Sequence, residues 1–194
     1  MPLRPCRHRC GPPMRWFHRA FRDFWREMHV TDLEIREAVI SDRPAVSRML
    51  ELYQHDLSDI WDQDLNAHGQ YGYSLERYWE SVDCHPFVAL VGGRYAGFAL
   101  VDDAVKVGAD GHWMDQFFIL KKYRRCGIGR TLAIRVFAEL PGKWEVGQML
   151  NNHAAQTFWR AVIANFTSDH FQEHKLTGGW WEGLVQSFES VPRK

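Results

Sequence analysis

Between residues 113 and 140 the chain changes its apolar period, and that change dictates the architecture. Trp113 to Leu120 is a strand-like run, after which Ile128, Leu132, Val136 and Leu140 recur at helical spacing until Pro141-Gly142 stops the helix. The same alternation continues on both sides. Leu33, Ile35 and the run Ala38 to Ile40 read as a short strand. Ser41-Asp42-Arg43-Pro44 then reads as the start of a helix through Tyr53, with a capping side chain and a proline in the first turn. His55 to Trp79 is polar, aromatic and irregular, with room for one or two short helices. Phe87 to Val91 and Tyr95 to Val101 form a hairpin pattern, because the Gly92-Gly93 pair between them tolerates positive φ. Trp144 to Leu150 is a further strand, and Asn152 opens a helix with Ala155, Phe158, Trp159, Val162 and Ile163 on one face. Two last strands, near Phe166 to His174 and Trp180 to Phe188, flank Thr177-Gly178-Gly179. This order predicts an α/β (α+β) fold with a mixed central sheet of about seven strands and helices on both faces.

At 194 residues the chain has enough length for one core. Its 45% hydrophobic and 25% charged residues place it among folded globular chains. No apolar run approaches the roughly 18 residues of a membrane-spanning helix, which excludes that class. Lys plus Arg (24) equals Asp plus Glu (24), a balance that argues against a dedicated nucleic-acid binder. The distribution is uneven: residues 1–22 carry +6 through Arg4, Arg7, Arg9, Arg15, Arg19 and Arg22, and the remainder carries −6. Phe17, Phe21, Phe24, Trp25 and Met28 recur at helical spacing between Arg15, Arg19, Arg22 and Arg26. Residues 1–31 therefore read as a basic amphipathic extension ahead of a domain at 32–194. Four readings fit it: a transit peptide, a membrane-surface helix, a helix packed on the domain, or a segment upstream of a true start at Met28. Cys6 and Cys10 with His8 between them lack a second ligand pair at zinc spacing, so no metal site is expected. Cys84 and Cys126 complete four unevenly spaced cysteines, which points to a reducing compartment and a cytoplasmic location.

The sharpest chemical signal is Tyr123-Arg124-Arg125-Cys126-Gly127-Ile128-Gly129-Arg130, between a strand and a helix. Glycines at 127 and 129 let the backbone approach a ligand, and the unpaired N–H groups of a first helical turn attract a pyrophosphate. Arg124, Arg125 and Arg130 add positive charge suited to phosphate oxygens. An ordinary tight turn with a basic end is the plainer explanation of a lone Gly-x-Gly. Cys126 has no His partner nearby in the sequence and reads as a small filler rather than a nucleophile.

Two motifs in order raise the signal. Arg124-x-x-Gly127-x-Gly129, followed by Asn152-His153-Ala154-Ala155-Gln156-Thr157-Phe158-Trp159, resembles the paired signatures of the GNAT superfamily of acetyl-CoA-dependent N-acetyltransferases. The resemblance covers about residues 33–188. It implies an acyltransferase that moves an acetyl group from acetyl-CoA, without a metal, to a primary amine on a small molecule or peptide. A homodimer is compatible with it. It also implies that backbone groups of Phe118 and Ile119 pair with the pantetheine arm, that the loop from Arg125 through Cys126, Gly127, Ile128 and Gly129 to Arg130 holds the pyrophosphate, and that Asn152 touches the pantetheine. Asn152 also suits a plain helix cap. Asp115, in Asp115-Gln116-Phe117-Phe118-Ile119, matches a family acid beside the substrate amine, as a proton relay or as an orienting carboxylate. Strand alternation would put Asp115, Phe117 and Ile119 on one face.

The family usually has Tyr where this chain has Trp159, whose indole N–H cannot supply a proton at neutral pH. Tyr123, Tyr53, a water or unassisted thiolate departure remain for that task. A CoA-binding module without transferase activity is the alternative that Trp159 favours. Binding of nucleic acid or a membrane surface through the basic arm is a third. Asp56, Asp59, Asp62 and Asp64, with Trp61, Tyr71, Tyr73, Tyr78 and Trp79 nearby, would suit a cationic acceptor if they reach the acceptor site, or would form a solvated loop.

Overall fold

Seven strands form one sheet in the spatial order β1-β2-β3-β4-β5-β7-β6. The computed structural model describes residues 32–179 and 181–191. Its elements are β1 (Leu33–Glu37), α1 (Arg43–Trp61), α2 (Arg77–Glu80), β2 (His85–Val91), β3 (Arg94–Asp102), β4 (His112–Ile119), α3 (Ile128–Glu139), β5 (Gly142–Met149), α4 (His153–Thr167), β6 (Gln172–Leu176) and β7 (Gly183–Ser190). The mixed seven-stranded sheet with helices on both faces is the expected fold. The basic arm, Cys6, Cys10 and Trp180 lie outside the described residues.

Two cores explain the two layers. On one face α1 places Val46, Met49 and Leu50, spaced at helical period, against Val88, Phe98, Leu100 and Phe118. On the other face Leu132, Val136 and Phe137 of α3 and Trp159, Val162 and Ile163 of α4 pack on Phe87, Ala89, Met114, Trp144 and Val146. Neighbouring strands are antiparallel except β4 and β5, which are parallel. Those two pair only from His112 with Trp144 to Met114 with Val146, and then diverge. From Asp115 to Ile119 the β5-facing edge of β4 has no strand beside it among the described residues. No helix among the described residues is long and apolar enough to cross a membrane.

Four local expectations are corrected. The first strand stops at Glu37 and Ile40–Asp42 form a 3-10 turn, because the Asp42 carboxylate accepts from Val39 N–H at 2.8 Å and pulls the chain off the sheet. Helix α1 continues past Tyr53 to Trp61, so part of the irregular stretch is helical. Helix α4 continues to Thr167, and Ser168 and Asp169 at φ 53° and 66° make the turn, so β6 begins only at Gln172. Finally, β4 carries a bulge: Leu100 faces Gln116 and Val101 faces Met114, which leaves Asp115 as the extra residue. The bulge breaks the alternation. Asp115 and Gln116 both bond toward Tyr73, while Phe117 and Ile119 pack in the opposite core.

Candidate active site

The divergence of β4 and β5 opens a cleft of about 590 Å³. Tyr53, Trp61, Tyr73 and Arg77 line it from the α1–α2 side, Trp113 to Phe117 from β4, Val146 to Met149 from β5, and Asn152, Ala155 and Trp159 from α4. Trp181 closes one side, its ring 5.8 Å from that of Trp113. Gly147 permits this packing, since a Cβ there would lie 2.3 Å from the Trp113 ring.

Asp115 is the hub of the side of the cleft nearest α1 and α2. Its Oδ2 accepts from Tyr73 Oη and Tyr78 Oη at 2.6 Å each, from Arg77 Nη2 at 3.0 Å and from Gln116 Nε2 at 3.4 Å. Its Oδ1 has no partner among the described residues, although the side chain lines the cleft and is 17% exposed. Gln116 Nε2 also donates to Tyr73 Oη at 3.2 Å, and Arg77 Nη2 to Tyr78 Oη at 2.8 Å. Burial, then the Asp115 charge, pushes the Tyr73 phenol up to about 12, and the same causes push Tyr78 further. Both phenols therefore stay protonated and keep donating. Arg77 Nη2 also lies 2.7 Å from buried Asp102 Oδ2, close enough for an ion pair but off hydrogen-bond geometry. Burial holds the Asp102 carboxyl above the usual carboxylate range.

The loop after β4 supplies the other half. Arg125 takes φ 65° and Gly127 φ 86°, left-handed conformations that turn the chain sharply into α3. The hydrogen-bond ladder of α3 opens with Thr131 N–H to Gly127 O at 3.0 Å, and the amides before it have no intrahelical acceptor. A Cβ on Gly127 would meet nothing within 4 Å, so the space over the loop is open. This is a surface on which a pyrophosphate fits. The three arginines differ in placement. Arg124 Nε donates to Ile119 O at 2.6 Å and its Nη2 to Asp56 at 2.5 Å, so its side chain braces the loop against α1. Arg130 bonds Asn165 of α4. Arg125 is exposed and has neither bond nor ion pair among the described residues. Cys126 is a free, half-buried thiol whose Sγ lies 3.6 Å from Arg124 O.

Asn152 caps α4, its Oδ1 accepting from Ala155 N at 3.1 Å, and it also lines the cleft. Phe118 is buried toward α1, and Ile119 has its carbonyl engaged by Arg124. Trp159 is packed edge-on against Phe117 at 4.8 Å and faces the cleft. Tyr123 is 5% exposed in the core beneath α3 and is not brought to the cleft. The acidic run does not line it either. Asp56 pairs with Lys121 and Arg124; Asp59 on the added turns of α1, and Asp62 and Asp64 just past its end, are exposed. Sequence reasoning noted Tyr73 and Tyr78 only as aromatics, and missed Arg77, Asp102 and Gln148. The one signal for Tyr73, Arg77 and Tyr78 is that aromatic and charged side chains crowd a stretch lacking any clear period, and Asp102 and Gln148 carry only the signal of polar residues in or beside an apolar strand.

A parallel strand pair that splays, with an acid on one edge and a glycine turn beyond it, defines an α/β protein with a cleft between two strands of its sheet. The family model of the Acetyltransferase (GNAT) family matches residues 46–162, and the chain belongs to that family. No curated protein sequence matches the chain. Among solved structures it is similar to the ribosomal-protein-S18-alanine N-acetyltransferase from Escherichia coli, at 15% identity and a TM-score of 0.58 over 84% of this chain and 96% of that one. It is also similar to a ribosomal-protein-alanine N-acetyltransferase from Brucella melitensis, at 19% identity and a TM-score of 0.57 over 80% and 99%. The PaiA N-acetyltransferase from Thermoplasma acidophilum, solved with coenzyme A, aligns at 14% identity and a TM-score of 0.53 over 81% and 98%.

Proposed function

We propose that the protein transfers an acetyl group from acetyl-CoA to a primary amine, by direct attack in a ternary complex. The observation that carries this reading is Asp115: four donors converge on Oδ2 and leave Oδ1 directed to no protein group, inside the cleft between β4 and β5. Acetyl-CoA supplies the thioester. The Gly127 turn binds its pyrophosphate, with Arg125 as the exposed cation, and Asn152 and the free edge of β4 flank its pantetheine. Asp115 Oδ1 draws an ammonium group into place and aligns the neutral amine once a proton has left it. Nitrogen then bonds the carbonyl carbon and gives up a proton to water, the carbon–sulfur bond breaks with its electron pair on sulfur, and the CoA thiolate takes its proton from water.

No cleft residue replaces the family tyrosine directly. Trp159 excludes bulk water but cannot protonate sulfur, and the Tyr53 phenol is pushed up by burial. A thiol with a pKa of about 8.5 departs tolerably without an acid. The lining favours an amine with one positive charge and an apolar or aromatic body, on a small molecule or a peptide. Tyr53, Trp61, Trp113 and Trp181 provide the wall, and the two acids of the lining, Asp102 and Asp115, are balanced by its two cations, Arg77 and Lys106, so no excess negative charge selects a polycation. A cytoplasmic location accords with the two free cysteines, Cys84 and Cys126.

Turnover of acetyl-CoA with tyramine, spermidine and an alanine-initiated peptide, read as thiol release, tests the assignment. Amine-dependent release, strongest with the singly charged aromatic or peptide amine, is expected. Tight CoA binding with no amine-dependent release would instead establish the non-catalytic module that Trp159 favours.

A further inference from the structure

A chain of polar side chains crosses β6, β7 and β5 and ends at the cleft. Arg160 of α4 holds both carboxylate oxygens of Glu173, through Nε at 2.7 Å and Nη2 at 2.8 Å. Gln186 Nε2 donates to Glu173 Oε2 at 2.7 Å, and Gln148 Nε2 donates to Gln186 Oε1 at 2.8 Å and to Val146 O at 3.0 Å. The two glutamines are 0% and 4% exposed. A carboxylate paired with arginine only accepts, so Gln186 must turn its NH₂ toward Glu173 and its oxygen toward Gln148. Gln148 must in turn present its NH₂ to Gln186. Rotating either amide would set oxygen against oxygen. The direction of the chain is thus fixed from the surface inward, and its terminus is Gln148 Oε1, which is buried and has no partner. Buried polar atoms are almost always bonded, so an orphan acceptor needs a reason.

Gln148 lines the cleft on a particular side. Alternation along β5 puts it with Trp144 and Val146, which pack in the α3–α4 core, and the neighbouring lining residues are Asn152, Ala155 and Trp159. Asp115 and its tyrosines occupy the opposite side. The half of the cleft away from the amine therefore holds a fixed acceptor that lacks a donor, and the pantetheine arm of CoA carries two amide N–H groups. We infer that Gln148 is a cofactor-recognition residue whose Oε1 accepts a pantetheine amide N–H, with the Arg160–Glu173–Gln186 chain setting its orientation. This rests on the acetyl-CoA reading above. It gives β5 a side-chain role in binding, beside the backbone role of β4.

Titration of the full chain with CoA and with its nucleotide half, 3′-phospho-ADP, tests the assignment. Gln148→Leu is expected to weaken CoA about tenfold while leaving 3′-phospho-ADP unchanged. Gln186→Leu, which keeps the Gln148 side chain but removes the partner that orients it, is expected to cost CoA affinity about threefold, again without effect on the nucleotide. Unchanged CoA affinity in Gln148→Leu overturns the inference. Equal loss of both ligands overturns it in favour of a purely structural role, and a raised amine KM with intact CoA binding overturns it in favour of contact with the acceptor. Failure of the wild-type chain to bind CoA at all would sink the underlying reading instead.

Discussion

Asp115 shows how much a single residue's role depends on which oxygen is free. Two phenols, a guanidinium and an amide fill Oδ2, so the carboxylate is locked in rotation and only Oδ1 can meet a ligand. In Asp115→Asn the same donors need an acceptor. The new amide must turn its oxygen to them and present its NH₂ to the cleft, replacing attraction for an ammonium by repulsion. The expected result is a ten- to hundredfold rise in amine KM, to order of magnitude, with kcat recovered at saturating amine and CoA affinity unchanged. Steady-state kinetics across pH check it. A kcat that stays low and climbs as free amine accumulates would assign Asp115 the proton relay, and wild-type kinetics would remove it from the site.

At the scale of elements, two junctions position the site. Where β1 leaves the sheet, Asp42 is 2% exposed and accepts from Arg36 Nη1 at 2.6 Å, Arg36 Nη2 at 3.0 Å, Tyr95 Oη at 2.6 Å and Val39 N–H at 2.8 Å. The Arg36 bonds, outweighing burial and helped by Tyr95 and Val39, hold its carboxyl well below the usual range. A depressed folded pKa stabilises the fold above the unfolded value and loses that contribution as pH falls. Asp42→Asn should therefore cost about 2–3 kcal/mol at neutral pH, with the gap to wild type closing below about pH 4 in urea unfolding. At the second junction Gly127 takes a left-handed φ with open space above it. Gly127→Val strains the turn and fills that space, so CoA affinity should fall by more than about tenfold. Unchanged affinity in a folded Gly127→Val protein would move the pyrophosphate elsewhere.

For the whole molecule, the described sheet begins with Leu33, and Gly92 N–H still reaches Asp32 O at 3.1 Å. A chain beginning at Asp32 is expected to fold, melt within a few degrees of the full chain and bind CoA with unchanged affinity. Insolubility or lost cooperativity in that chain would place residues 1–31 in the core. The order of elements was readable because each carries a local period: the Gly92-Gly93 hairpin, the β4–Gly127–α3 passage and the Asn152 cap depend on neighbours within a turn or two of chain. The limits of α1 and α4 were not, because nothing local stops them. Each runs until a left-handed residue, Asp62 or Ser168, ends it. The glycine loop and Asn152 were legible for the same reason as the hairpin. The acceptor half was hidden, since Asp115 meets Tyr73, Tyr78 and Arg77 from some forty positions away and only the packing of α2 over the sheet joins them. The bulge at Asp115 was hidden too, because register is a property of two strands, β3 and β4, and of the side chains that must fit on both faces. Period and turn chemistry are written in adjacent residues, whereas which face a side chain takes, and which oxygen it leaves free, is settled only when distant elements compete for the same space.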